Sequence, residues 1–130
     1  MEPQQNQPAK KRILCIEDEQ FIGELYSRAL TKAGYEVFVV PSGLKGLEEA
    51  KKDIYDVILL DIMVPDLLGI DVLAKLRAEM PNLKSKIIIT TNLEQDETAR
   101  QAVEKQADGY IIKAEITPRQ LVEFVNQIKV

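Results

Sequence analysis

The sequence predicts an α/β protein built on a doubly wound, five-stranded parallel sheet. Three observations lead there. Short apolar runs alternate five times with longer segments of helical periodicity. No two runs are joined by a two-residue hairpin turn, and there is no internal repeat or linker. The central run, Val57-Ile58-Leu59-Leu60, is apolar at consecutive positions, as in a strand covered on both faces. Alternation of this kind implies helices on both faces of a parallel sheet.

Residues 1–10 are polar, carry two prolines and read as a disordered tail, so the folded domain is expected over 11–130. The first strand is predicted over 12–16. The first helix follows over 19–33, with Ile22, Leu25, Tyr26, Ala29, Leu30 and Ala33 on one face and Gly34 as its stop. The second strand spans 35–40, and Ser42 is a suitable N-cap for a helix through Lys51. The central strand covers 55–60. A helix over 68–80 buries Ile70, Val72, Leu73 and Leu76 and is ended by Pro81. The fourth strand spans 86–91. The next helix, over 94–106, has a weak apolar face of Ala99, Ala102 and Val103. A short strand over 109–113 precedes the last helix. That helix opens on the capping box Thr117-Pro118-Arg119-Gln120 and runs to the C-terminus.

Composition narrows the function. The 130 residues are 45% hydrophobic and 29% charged, which suits one domain with a real core. A net charge of −4 argues against nucleic acid, which needs a basic face. No apolar stretch reaches membrane-spanning length and Met1 to Arg12 lacks a secretory signal, so a reducing, cytoplasmic location is expected. Cys15 is the only cysteine and reads as a small core hydrophobe within Ile13-Leu14-Cys15-Ile16. The absence of histidine removes histidine catalysis and most transition-metal sites.

The informative residues end the strands. A carboxylate inside a buried strand is costly unless paired, but Asp61 stands at the strand's carboxyl end, where open α/β sheets bind ligands. The first strand ends in Glu17-Asp18-Glu19, the fourth in Thr90-Thr91 and the fifth in Lys113. With strand one in the middle of the sheet, these ends converge on one cleft. Clustered carboxylates repel, and a hard divalent cation such as Mg²⁺ relieves them. A cation, an ammonium and a hydroxyl together suit a phosphoryl group, and Asp61 is the candidate nucleophile. Taken singly, each group has a plainer reading. The Glu17–Glu19 acids suit a helix first turn, Lys113 a solvated surface, Thr91 a strand, and Asp61 a turn before Pro65. Four complementary groups at four strand ends favour the joint reading.

These residues resemble the receiver domain of bacterial two-component response regulators. The resemblance runs from about Lys11 to Val130 through ILCIEDE, VILLDIMVPDLLG, KIIITTN and ADGYIIK, in that order and spacing. It implies a flavodoxin-like (βα)₅ fold of strand order 2-1-3-4-5. It also implies that Asp61 is the phospho-acceptor. Asp18 would bind Mg²⁺ directly, Glu17 through water, and Met63 through its backbone carbonyl. Thr91 takes the role of switch hydroxyl, Lys113 of phosphate-binding lysine and Tyr110 of aromatic switch, and Pro65 and Gly69 match the loop after the acceptor. Three positions depart from the pattern. Ala114 follows Lys113 where the family usually has a cis proline, and a cis bond without proline costs about 3 kcal/mol, so a trans bond is expected. Asn92 replaces a small residue beside the phosphate site and is expected to alter phosphorylation and hydrolysis rates. Leu68 stands where a polar residue often precedes the glycine, and the pair Leu67-Leu68 is expected to be an exposed contact surface.

The resemblance implies a switch rather than an enzyme. A sensor histidine kinase or histidine phosphotransfer protein would phosphorylate Asp61, docking near Gln20, Phe21 and Glu24; Phe21 reads equally as packing against the neighbouring loop. Thr91 would move inward and Tyr110 would swing into the space it leaves. Output would pass by contact to a downstream protein, without DNA binding or membrane insertion, from a monomer or a phosphorylation-induced homodimer. The sequence ends after the fifth predicted helix, so no output domain is expected. An aspartyl-phosphate phosphatase of the haloacid dehalogenase type would need a second aspartate where Met63 stands. A flavin-binding protein would need a Gly/Ser/Thr-rich loop where Glu17-Asp18-Glu19 stands, and acids there would repel a phosphate. A receiver-like scaffold that works without phosphorylation is the remaining alternative.

Overall fold

The computed structural model describes residues 11–92, 97, 100, 101, 104 and 106–129. Its strands are β1 (Arg12–Ile16), β2 (Glu36–Val40), β3 (Val57–Asp61), β4 (Lys86–Thr91) and β5 (Gly109–Ile112). They form one parallel sheet in the order β2-β1-β3-β4-β5, the order expected. Helices α1 (Gln20–Lys32), α2 (Gly43–Ala50), α3 (Gly69–Glu79) and a C-terminal helix (Pro118–Asn126) cover it. The predicted tail lies outside the described residues, as do Ala99, Ala102 and Val103 of the helix predicted over 94–106. Glu97, Arg100, Gln101 and Glu104 within that stretch are helical and exposed.

The alternation of side chains along each strand sorts the core into two layers. Leu14, Ile16, Ile58, Leu60, Ile87 and Ile89 pack against Leu47 and Ala50 of α2 and Val72, Leu73 and Leu76 of α3. Ile13, Cys15, Val57, Leu59, Ile88 and Ile111 pack against Tyr26 and Leu30 of α1 and Leu121 and Val125 of the C-terminal helix. Each Val, Leu or Ile among them contributes about 1.5–3 kcal/mol on leaving water. All five residues of β3 are buried because β3 is the central strand and has a helix layer on each face. Cys15 lies in this core, and burial pushes its thiol up to about 12, so it is an inert hydrophobe as expected.

Among the boundaries that differ from the sequence expectation, three have a local reason. β3 starts at Val57 rather than at 55. Asp56 instead caps the β1 edge: its N–H bonds to the Arg12 carbonyl at 2.8 Å, and its carboxylate accepts the Arg12 N–H at 2.8 Å. β5 ends at Ile112, the partner of the last β4 residue Thr91, and Lys113 opens a 3₁₀ turn over Lys113–Glu115. The C-terminal helix stops at Asn126, where Gln127 and Ile128 tighten onto the carbonyls three residues back. Both expected caps form. Ser42 accepts the Lys45 N–H, and Thr117 and Gln120 satisfy each other's backbone as a capping box. Among the described residues every peptide bond is trans, including that between Lys113 and Ala114.

Candidate functional site

The carboxyl ends of β1 and β3 and the turn after β5 meet around one lysine. β1 delivers Glu17, whose backbone N–H continues the ladder to the Val40 carbonyl at 3.0 Å. β3 delivers Asp61 as its last residue, in register with Thr90 of β4. Lys113 comes from the 3₁₀ turn after β5. Its Nζ lies 2.6 Å from Glu17 Oε1 and 3.0 Å from Asp61 Oδ2. All three are buried, at 3% exposure for Glu17, 4% for Asp61 and 8% for Lys113. The plain reading of Lys113 as a solvated surface group is therefore excluded.

The remaining oxygens are held by backbone. Met63 N–H donates to Asp61 Oδ1 at 3.1 Å, and Glu19 N–H donates to Glu17 Oε2 at 3.0 Å. Glu19 reaches in from solvent, with Oε2 3.8 Å from the Lys113 ammonium. Glu17, Glu19 and Asp61 each present an oxygen, all within 4.8 Å of one another, which is a donor set for a hard cation. Asp18 is exposed and stands outside that group.

Two buried carboxylates share one ammonium, so the pocket keeps a surplus negative charge. Burial pushes the Glu17 carboxyl up, and the Asp61 charge adds to this, against hydrogen bonds from Lys113 and the Glu19 N–H. Burial works against the Lys113 ammonium as well, but Glu17 and Asp61 outweigh it and hold the lysine above its ordinary value. Such a donor set is chemically suited to a divalent cation, and a lysine and a cation together would suit an anionic ligand.

Thr91 is buried at the end of β4. Tyr110 lies on β5, 43% exposed, beside a shallow groove that also includes Ile116, Gln120 and Phe124. Met63 projects its side chain to solvent, 64% exposed, while its backbone faces Asp61. Phe21 is 73% exposed, which excludes the packing reading offered for it. Leu68 is exposed as expected, but Leu67 is half-buried and packs on the α2–α3 core layer, so the pair is not one surface. Beside the acids a groove of about 940 Å³ runs along α1 past Gly23 and Ser27 to Val39 and Pro41.

Sequence reasoning missed two residues here. Glu19 stands among the acids expected at the end of β1 but has no assigned role there, although it reaches the Lys113 pocket. Asp66 was not singled out, although it adopts φ 62 in the loop after Asp61 and bonds to the start of α2. Its signal was the Pro65-Asp66 pair, a turn dipeptide.

The chain is similar to known proteins in sequence and fold. The family model described as the response regulator receiver domain matches residues 13–126. Chemotaxis protein CheY of Thermotoga maritima is 30% identical over 91% of this chain and 97% of its own length. The transcriptional regulatory protein CusR of Escherichia coli is 37% identical over 78% of this chain, which spans only 44% of that relative. A CheY-like receiver domain protein from Methanospirillum hungatei superposes with a TM-score of 0.81 at 29% identity, over 92% of this chain and 93% of that one. The order of the strands, the acids at their carboxyl ends and these matches agree that the chain belongs to the response regulator receiver domain family.

Proposed function

We propose that the chain is a phosphorylation-dependent signalling switch in which Asp61 accepts a phosphoryl group from a partner's phosphohistidine. The observation that carries this reading is the Lys113 bridge between Glu17 and Asp61, three groups brought together from β1, β3 and the turn after β5. An Asp61 oxygen forms the new O–P bond as the N–P bond of the phosphohistidine breaks, and the partner's imidazole leaves with the electron pair. Lys113, already at the acceptor, then neutralises a phosphoryl oxygen, and Thr91 donates a hydrogen bond to another. Asp18, Asp61 and the Met63 carbonyl would hold Mg²⁺, with Glu17 acting through water; Glu19 stands close enough to add a carboxylate. When bound, the ion supplies charge neutralisation for the transferring group.

The groove along α1 offers room for a partner's side chain beside the acids, in keeping with docking near Gln20, Phe21 and Glu24. Thr91 moving inward and Tyr110 leaving its exposed position would carry the signal to the face formed by β5 and the C-terminal helix. A downstream protein would read that face, in the cytoplasm, from a monomer or an induced homodimer.

The test is incubation with acetyl phosphate, or with beryllofluoride, in the presence of Mg²⁺. Intact mass and NMR shifts are expected to respond in the wild type and not in Asp61→Asn. A wild type that ignores both reagents leaves the phosphorylation-independent scaffold as the reading.

A further inference from the structure

The loop between β3 and α3 touches the acceptor at one end and is fastened at the other. At the acceptor end Met63 N–H holds Asp61 Oδ1 at 3.1 Å, Ile62 N–H reaches the Thr90 carbonyl at 3.2 Å, and Gly69 N–H returns to the Ile62 carbonyl at 2.8 Å. At the far end the loop is tied to the first turn of α2, more than twenty residues away in sequence. Asp66 Oδ1 accepts the Leu44 N–H at 2.9 Å and its Oδ2 accepts the Ser42 hydroxyl at 2.8 Å. Gly43 N–H bonds to the Pro65 carbonyl at 3.1 Å. The fit is tight, because a Cβ built on Gly43 would lie 1.9 Å from the Leu67 carbonyl oxygen.

Asp66 takes φ 62, a left-handed conformation that a non-glycine residue adopts at a cost in strain. A cap for α2 alone does not require this, since Ser42 already accepts the Lys45 N–H. What the conformation adds is direction: it turns the Asp66 carboxylate onto α2, beside the Pro65 carbonyl that accepts the Gly43 N–H.

We propose that Asp66 is a positioning residue for phosphoryl acceptance. By fastening the β3–α3 loop to α2 it fixes the Met63 backbone. That backbone in turn holds the acceptor carboxylate with one oxygen toward Met63 and the other toward Lys113. The proposal rests on the reading of Asp61 as phosphoryl acceptor.

Two substitutions separate the tie from the strain. Asp66→Gly keeps the left-handed backbone and removes both side-chain bonds. Asp66→Asn keeps the backbone and both contacts, its carbonyl accepting from Leu44 and its amide donating to Ser42. The readouts are the rate of phosphorylation by acetyl phosphate at saturating Mg²⁺, the Mg²⁺ affinity from NMR shifts, and chemical unfolding. Asp66→Gly is expected to be about five- to tenfold slower than the wild type even at saturating Mg²⁺, through misplacement of the acceptor, with Asp66→Asn within about twofold. A wild-type rate in a folded Asp66→Gly makes Asp66 only a helix cap and overturns the proposal, as does an Asp66→Asn as slow as Asp66→Gly. Should Asp66→Gly not fold, Ser42→Ala, which loses one of the two ties, is expected to slow the rate about two- to threefold. A wild-type rate there also overturns the proposal. A wild type that takes no phosphoryl group overturns the underlying reading, and this shows before any variant is made.

Discussion

The two sides of the pocket are built on different terms. On the β3 side the backbone has no slack. Gly69 sits where a Cβ would lie 2.2 Å from the Asp61 carbonyl oxygen, Gly43 is equally tight against Leu67, and Asp66 ties the loop to α2. On the β5 side the strand is a short sheet edge that ends one residue before Lys113. Tyr110 on that strand is 43% exposed beside an open groove. The β3 side holds the Asp61 carboxylate still, while the β5 side keeps a large side chain that has somewhere to go. Close packing resists gradual deformation, so on the proposed function a signal starting at Asp61 would be directed toward the looser side.

Lys113 joins the two sides, and removing it tests the comparison hardest. Lys113→Met leaves Glu17 and Asp61 buried with no counter-charge, and is expected to cost about 3–5 kcal/mol by chemical unfolding. Added Mg²⁺ should recover part of that loss by replacing the missing cation. Lowering the pH should recover part as well. Glu17 has its folded value raised above the unfolded one, so its contribution to stability grows as pH falls through the folded value and is lost as pH rises through it. Lys113 in the wild type works in the alkaline range. With its folded value raised, its contribution is complete below the ordinary lysine value near 10.4 and is lost as pH rises beyond it. A Lys113→Met variant as stable as the wild type at pH 7 without Mg²⁺ would show that the bridge does not hold the two sides together.

Gly69→Ala tests the tight side alone. The added methyl meets backbone rather than the end of a flexible side chain, so relief requires the loop to shift. The expected cost is about 3 kcal/mol in urea unfolding, with slower phosphorylation in proportion to the displacement of Asp61. An alanine there that costs under about 0.5 kcal/mol, the range of an ordinary surface change, would mean that the loop has slack.

Glu17→Gln is expected to act in the opposite direction and more weakly. It removes one of two carboxylates crowded onto one ammonium while Asp61 still pairs with Lys113. The variant should gain about 1 kcal/mol without Mg²⁺. It should also gain less from Mg²⁺ than the wild type, for which a tenfold excess over the Kd is worth about 1.4 kcal/mol. A site that is less stable than its neutralised variant is one built for a ligand rather than for folding.

What was legible in the sequence follows the same division. The strands announced themselves as apolar runs, and their order placed Glu17, Asp61, Thr91 and Lys113 at one edge, because topology alone makes strand ends neighbours. The features that set the pocket's rigidity were not legible. Asp66 finds Ser42 and Leu44 through a turn whose partner lies on another element, and no periodicity encodes a side chain reaching across that distance. Glu19 follows the predicted acidic pair, yet whether it or Asp18 faces the pocket depends on how the chain leaves β1 for α1. The end of β5 at Ile112 depended on where β4 stopped offering partners. The sequence therefore reported which groups meet, and loop geometry decided how firmly each is held.

The smallest stability effect belongs to the loose side. Tyr110→Ala removes a half-exposed ring that lies outside both core layers, so its cost in chemical unfolding should stay within about 0.5 kcal/mol. Its effect on signalling should be out of proportion to that. In the wild type, beryllofluoride with Mg²⁺ should shift the NMR signals of β5 and the C-terminal helix together with those around Asp61. In Tyr110→Ala the shifts around Asp61 should persist, since the acceptor side is held by its own backbone, and those along β5 and the C-terminal helix should shrink. If both sets persist unchanged, the ring is not the moving part and the looseness of the β5 side serves some other purpose. If both sets vanish, the two sides are not separable, because an acceptor pocket that depends on a half-exposed ring on the sheet edge was never rigid by itself.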